Sequence, residues 1–213
     1  MVARKVFQLN IKFADMEKYL KSCKTEFWKK VFKAELEYIL HELKGAKDIL
    51  SVGCGPAIIE AGLAEHGFNV TGLDISREAL NQAPDSIRTV IGSAENMDFE
   101  DCSFDAVIYI ASLQFIENYK QAIKHTTRVI RPNGKLLVML INPESEFFKE
   151  KTMEPTSYVN KIKHTDLTEI EKQIARFFSI QTEYFLGIKG QDMLETRNPN
   201  LATLYVIKGT KKQ

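Results

Sequence analysis

The sequence predicts an α/β protein whose mostly parallel sheet carries helices on both faces. From Asp48 to Ile141, short apolar segments alternate with helical ones, the pattern of repeated strand-helix-strand units. Two of these segments, FDAVIYI at 104–110 and KLLVMLI at 135–141, are continuous apolar runs, as expected of strands buried on both faces. The last two strand-like segments, 179–188 and 201–207, are separated by a connection too short for a crossover helix, so that pair is expected to be antiparallel.

The elements follow in order. From Thr25 to about Lys44, Trp28, Phe32, Leu36, Ile39 and Leu43 recur at three- and four-residue steps, which predicts an amphipathic helix ended by Gly45. Its Lys29, Lys30 and Lys33, interleaved with Glu35 and Glu37, read as a solvated outer face. A strand at 48–52 leads into a helix from Pro56 to His66, and a strand at 69–73 leads into a short helix capped by Ser76. Strands at 87–91 and 104–110 follow, then a helix from Asn118 to Ile130, the turn Arg131-Pro132-Asn133-Gly134 and the fifth strand. Leu167, Ile170, Ile174 and Phe177 space one more helix before the terminal pair.

A length of 213 residues with 44% hydrophobic and 27% charged content fits one globular domain. Within residues 1–213 the expected parts are an N-terminal helical arm or lid (1–45), a ligand-binding core (46–142) and a C-terminal, substrate-side half with the antiparallel hairpin (143–213). A net charge of +1 provides no global field for nucleic acid or anionic membrane, and no apolar run approaches the about 20 residues of a membrane span. The three cysteines cannot all pair and the four histidines lack metal-ligand spacing, so reduced thiols and no metal site are expected. The first twenty residues carry charges throughout and show no small-residue cleavage site, which predicts a soluble, cytoplasmic chain.

The chemistry concentrates at Ser51-Val52-Gly53-Cys54-Gly55-Pro56-Ala57, where a Gly-x-Gly turn joins the first strand to its helix. Glycine suits a tight turn against which a bulky ligand must approach the backbone. Asp74 ends the next strand 21 residues after Gly53, where a carboxylate can accept both hydroxyls of a ribose lying over the strand ends. Together these point to a nucleoside cofactor. The third glycine of a dinucleotide fingerprint is Ile58 here, and no Walker-type phosphate loop is present, which disfavours a nicotinamide oxidoreductase.

From about Asp48 to Ile141 the chain resembles a class I S-adenosylmethionine-dependent methyltransferase of the methyltransferase-11-like group. The resemblance is carried by SVGCGPA, GLDIS at 72–76, IGSAENMDF at 91–99, CSFDAVIYIASLQFI at 102–116 and RVIRPNGKLLV at 128–138. It implies a Rossmann-like, seven-stranded, mostly parallel sheet with the last strand antiparallel. It also implies S-adenosylmethionine as cofactor and S-adenosylhomocysteine as product. By the same resemblance, Gly53, Cys54 and Gly55 pass under the methionine and ribose, with Cys54 a small filler rather than a nucleophile. Asp74 holds the ribose hydroxyls, Ile75 packs on the adenine, Ala94 offers it a backbone N–H, and Ile110 lies near the methionine end.

Three positions depart from the family pattern. Ser51 and Ser93 stand where acidic residues are usual, and Ala57 replaces a third glycine. Each lost ionic acceptor is expected to weaken binding by roughly 1 to 2 kcal/mol, with Glu95 a candidate to compensate. Acceptor contacts are expected beyond the carboxyl ends of the strands, at Ser112, Gln114, Asn142, Glu144, Tyr158, Gln191, Asp192, Glu195 and Arg197. Asn142-Pro143-Glu144 is not the NPPY motif of amino-adenine methyltransferases, lacking the aromatic residue that stacks a flipped base. The expected function is methyl transfer by in-line displacement to a small-molecule acceptor. A catalytically inactive nucleoside-binding protein, or an enzyme acting on protein or RNA, stands as the alternative.

Overall fold

The computed structural model describes Lys21 and residues 23–212. The first twenty residues, and the part of the expected lid that falls on them, lie outside the described residues. The elements are α1 (Glu26–Glu42), β1 (Asp48–Val52), α2 (Ile58–Glu65), β2 (Asn69–Asp74), α3 (Arg77–Leu80), β3 (Arg88–Ile91) and β4 (Phe104–Ile110). After these come α4 (Tyr119–Val129), β5 (Ile130–Ile141), α5 (Glu146–Thr152), α6 (Leu167–Ala175), β6 (Phe178–Lys189), β7 (Asp192–Leu194) and β8 (Ala202–Lys211). Single 3-10 turns cover Ala94–Asn96, Leu113–Phe115 and Tyr158–Lys161.

The strands form one eight-stranded sheet in the order β3-β2-β1-β4-β5-β8-β6-β7. β1 to β5 run parallel, and β8 inserts antiparallel between β5 and β6, as expected from the short connection. The eighth strand is β7, which folds back on the end of β6 with Lys189 opposite Asp192. Gly190, at φ +58°, supplies the left-handed residue that a two-residue reversal needs. Its three residues were too few to read as a strand in the sequence.

The sheet separates two apolar layers because strand side chains alternate in direction. Leu50 and Val52 of β1 face the layer containing α4 and α6, while Ile49 faces α1 and α2. Gly62 of α2 lies under Leu36 of α1, and Ile39 and Leu43 are fully buried beneath them. Each such side chain contributes roughly 1.5 to 3 kcal/mol by leaving water. A third cluster, built around Val31, Ile141, Phe147, Val159, Leu186 and Ile188, closes the carboxyl end of β5 and β6. The lysines of α1 pair locally, Lys29 with Glu26 and Lys33 with Glu37, on the solvated side.

Caps read from the sequence are made: Thr25 accepts from Trp28 N, Ser76 from Ala79 N, and Asn118 from Gln121 N. The Arg-Pro-Asn-Gly segment is drawn into β5 as an irregularity between Phe104 and Ala106 of β4. Asn133 takes φ +60°, and a Cβ on Gly134 would come within 2.8 Å of the Asp105 carbonyl. Arg131 anchors the bend by donating to Asp48 and Asp105. α5 and the turn at Tyr158 were not anticipated, since their short apolar patterns depend on the third cluster rather than on periodicity. Among the described residues no helix is long and apolar enough to cross a membrane.

Arg128 of α4 holds the segment after β3, its guanidinium donating to the carbonyls of Met97 and Phe99 and to Asp101. Arg128→Met is expected to lower the unfolding free energy by about 1 to 2 kcal/mol, because two carbonyls lose a charged donor. Urea denaturation measures this, and an unchanged midpoint would contradict it.

Candidate functional site

The carboxyl ends of β1, β2, β3 and β4 meet at one edge of the sheet, and the turn after β1 lies across it. Gly53 and Gly55 adopt φ +74° and +55°, the region open to glycine, and Ala57 follows at φ +58°. Ala57 is thus strained where glycine would not be, by about 1 kcal/mol. The Gly53 N–H donates to the Leu73 carbonyl at 2.7 Å, fastening the turn to β2. A Cβ at Gly53 would lie 2.6 Å from Ser112 Cβ, whereas one at Gly55 would meet nothing within 4 Å. One glycine makes room for a neighbouring loop; the other presents bare backbone to open space.

Asp74 ties this turn to the next strand. Its Oδ2 accepts from the Gly55 N–H at 2.8 Å and its Oδ1 from the Ser76 N–H at 2.8 Å. Burial pushes its carboxyl up, opposed by the amide N–H groups of Ser76, Gly55 and Ile75. Each carboxylate oxygen retains acceptor capacity for a further hydroxyl. Ile75, beside it, is a large apolar side chain left 41% exposed, a surface on which a flat ring can lie.

Ser51, missing the expected acid, is buried and donates its Oγ to Glu60 Oε1 at 2.5 Å. Glu60 sits on α2 with 3% exposure, and burial pushes its carboxyl up to about 7 despite the Ser51 hydroxyl and its backbone contact. An acid therefore reaches the site from the following helix. The sequence shows Glu60 only as one helical residue among apolar ones; its direction beneath the turn depends on how α2 leaves Ala57. Cys54 fills the space above Gly72, and burial followed by the charges of Glu60 and Asp74 pushes its thiol up.

At the end of β3, Ser93 accepts from the Glu95 N–H and caps the turn that contains Ala94. Glu95 accepts from the Asn118 N–H at 2.8 Å through Oε1, which ties it to the start of α4. At the end of β4, Ile110 is followed by Ala111 at φ +46°, and Ser112 donates to the Val52 carbonyl at 2.6 Å. That bond draws the loop after β4 over Gly53.

Several expected acceptor contacts belong to the scaffold instead. Gln114 is 0% exposed; its Nε2 donates to the carbonyls of Ile141 and His164, and its Oε1 accepts from Ile141 N–H. Asn142 is 1% exposed, donating to the carbonyls of Pro199 and Ala202 and accepting from Glu144 N–H. Arg197 folds onto Glu183, Tyr38 and Phe185 on β6 and α1. Glu144 pairs with Lys149, and Gln191, Asp192 and Glu195 stand exposed on the β7 hairpin. Tyr158 does lie at the expected edge, its ring stacked on Phe115 at 6.3 Å.

No group of three or more metal-ligating side chains occurs among the described residues. A groove of about 310 Å³ lined by Glu42, Lys135 and Lys208 is at the amino end of β5, the opposite edge of the sheet.

Residues 50–138 match the family model described as a methyltransferase domain. The ubiquinone biosynthesis O-methyltransferase of Rickettsia typhi is 32% identical over 123 residues, covering 50% of this chain and 48% of that protein. The protein of the same name from Vibrio campbellii is 24% identical over 182 residues, covering 71% and 77%. The chain thus spans about half the length of the first of these relatives. A solved S-adenosylmethionine-dependent methyltransferase from Thermotoga maritima superposes with a TM-score of 0.77 at 18% identity, covering 92% of this chain and 95% of that one. One from Archaeoglobus fulgidus gives 0.73 at 16%, covering 91% and 99%. At these identities the structural likeness is one of fold.

Two outcomes test this arrangement. Glu60 holds a proton in the folded chain between its ordinary value of 4.5 and about 7, where the unfolded chain has released it. Stability must therefore fall as pH rises through that window and level off above it. Glu60→Gln is expected to remove about 1 to 3 kcal/mol of that decline, measured by denaturant unfolding at pH 5 and pH 8; an identical slope in the variant would contradict it. Gln114→Leu leaves the Ile141 N–H and two carbonyls without partners, and a loss of about 2 to 4 kcal/mol is expected in the same assay. A variant as stable as the parent would return Gln114 to the acceptor side.

Proposed function

We propose that this chain transfers a methyl group from S-adenosylmethionine to a small-molecule acceptor, a reading supported by the match of residues 50–138 to the methyltransferase-domain model and by a fold like that of solved S-adenosylmethionine-dependent methyltransferases. The observation that carries the reading is the Gly55 backbone, open on its outer side and tied at 2.8 Å to Asp74. A side chain at Gly55 would fill the space that the nucleoside requires, so the turn fits the cofactor.

In this reading Asp74 accepts the ribose hydroxyls while still holding the turn, and Ile75 covers one face of the adenine. Ser93 and Ala94 border the ring at the end of β3. Gly53, Cys54 and Ile110 line the methionine portion, and Ser112 holds the loop that closes over it. The buried Ser51–Glu60 pair supplies negative charge behind the glycine turn, where an ammonium group gains from it. That weakens half of the motive for an inactive binding protein, which is the serines at both 51 and 93. Ser93 has no such substitute, and tighter selection of the adenine amino group is not expected there.

Bound S-adenosylmethionine supplies a methyl group made electrophilic by its sulfonium. The protein's task is alignment: an acceptor lone pair placed in line behind the methyl, about 3 to 3.5 Å away, with water excluded. The loops after β4 and β5 are where such an acceptor touches the chain. A small acceptor is supported by the relatives named for ubiquinone biosynthesis and by a near-neutral net charge of +1.

Titration calorimetry with S-adenosylhomocysteine tests the reading, and no heat of binding at about 1 mM ligand would overturn it. Asp74→Ala is expected to weaken affinity at least about tenfold, from loss of the charged acceptors and of the tie to Gly55. Asp74→Asn keeps one acceptor oxygen and is expected to lose less. Equal affinity in all three proteins would show that the ribose lies elsewhere.

A further inference from the structure

The loop after β4 is fixed from two directions. At its start Ala111 takes φ +46°, a left-handed conformation that a non-glycine residue keeps only where its surroundings hold it. Ser112 follows, donating its Oγ to the Val52 carbonyl at 2.6 Å and lying against Gly53, where an added Cβ would come within 2.6 Å of Ser112 Cβ. A shift of this loop therefore changes the room above the glycine turn directly.

The second direction is the segment 158–164, which runs between α5 and α6 and is rooted in the third apolar cluster through Val159 and Ile162. Every residue from Gln114 to Glu117 is held by it. Tyr158 stacks on Phe115 with 27° between the planes. The N–H groups of Lys163 and His164 donate to the Gln114 carbonyl at 3.0 and 3.3 Å, and Gln114 Nε2 donates to the His164 carbonyl at 3.2 Å. Lys163 also pairs with Glu117. The His164 ring reaches furthest along the loop: its Nε2 lies 2.9 Å from the Ile116 carbonyl and 3.2 Å from the Glu117 carbonyl. Carbonyl oxygens only accept, so Nε2 carries a proton. The ring also rests 4.6 Å from that of Tyr119, the first residue of α4.

Resting on the cofactor reading above, we propose that His164 is a positioning residue for cofactor binding: its Nε2–H holds the Ile116 and Glu117 carbonyls so that Ser112 is already seated over Gly53 when the ligand arrives. The path is short. It runs from the ring to Ile116 and Glu117, from the His164 backbone to Gln114, and from Gln114 two residues back to Ser112. A loop ordered in advance loses less entropy on binding. Once the donor is removed, two carbonyls lose their shared partner. The far half of the loop then keeps its place only through the Phe115 stacking and the Lys163–Glu117 pair, which is exposed and so adds little.

The test uses the full chain, with S-adenosylhomocysteine titrated by calorimetry into the parent and each variant and urea unfolding checking that every variant is folded. His164→Phe keeps a ring against Tyr119 and removes the donor; it is expected to bind about three- to tenfold more weakly. His164→Gln keeps a donor and is expected to recover most of that loss. Ser112→Ala is expected to weaken binding by a similar factor, and the double variant His164→Phe with Ser112→Ala to bind no more weakly than the poorer single, since both act through one loop. Hydrogen exchange without ligand should quicken in His164→Phe over residues 112–118 and stay unchanged in β1 and β2. Parent affinity in His164→Phe, a His164→Gln variant no better than it, or losses that simply add in the double variant would overturn the assignment while the cofactor reading stands. Absence of binding by the parent would overturn that reading, and the assignment with it.

Discussion

The hydrogen bond from the Gly55 N–H to the Asp74 carboxylate is the constraint on which the rest of the site depends. Without it the turn after β1 and the end of β2 are two loops; with it they are one rigid corner. The same carboxylate holds Ser76 at the start of α3, while the Leu73 carbonyl before it receives the Gly53 N–H. Five residues thus fix this stretch of backbone. A ligand that accepts this surface finds it already ordered, so less entropy is lost on binding.

A second principle is the way polar groups are divided between scaffold and site. Gln114 and Asn142 are buried with their amides satisfied, and they pin the loop after β4 and the segment after β5 to neighbouring strands. Glu95 and Arg197 are likewise committed to structural partners. The carboxylates of Glu60 and Glu35 are different. Both are buried, Glu60 beside the Ser51 hydroxyl, and burial pushes both carboxyls up, to about 7 and about 8. Buried acids without cationic partners weaken a fold.

The departures from the family pattern take on a different meaning in three dimensions. Ser51 loses the acid in sequence, yet Glu60 returns one in space, nine positions along and one element later. Ala57 keeps a left-handed conformation that glycine would hold without strain. Beside Ser93, Glu95 accepts from the start of α4 through one carboxylate oxygen.

The alternation of strands and helices, the caps at Thr25, Ser76 and Asn118, the antiparallel closing pair and the Gly53, Gly55 and Asp74 constellation were all legible in the sequence. Each rests on local chemistry: periodicity, a side chain reaching its own backbone, or a glycine that a turn requires. The strand at Asp192–Leu194, the helix at Glu146–Thr152, the pairing of Ser51 with Glu60 and the burial of Gln114 were not. Those depend on contacts between residues far apart in the chain or on the angle at which a helix leaves a turn. A polar residue after a strand looks the same in sequence whether it faces a ligand or a buried carbonyl; only packing decides which.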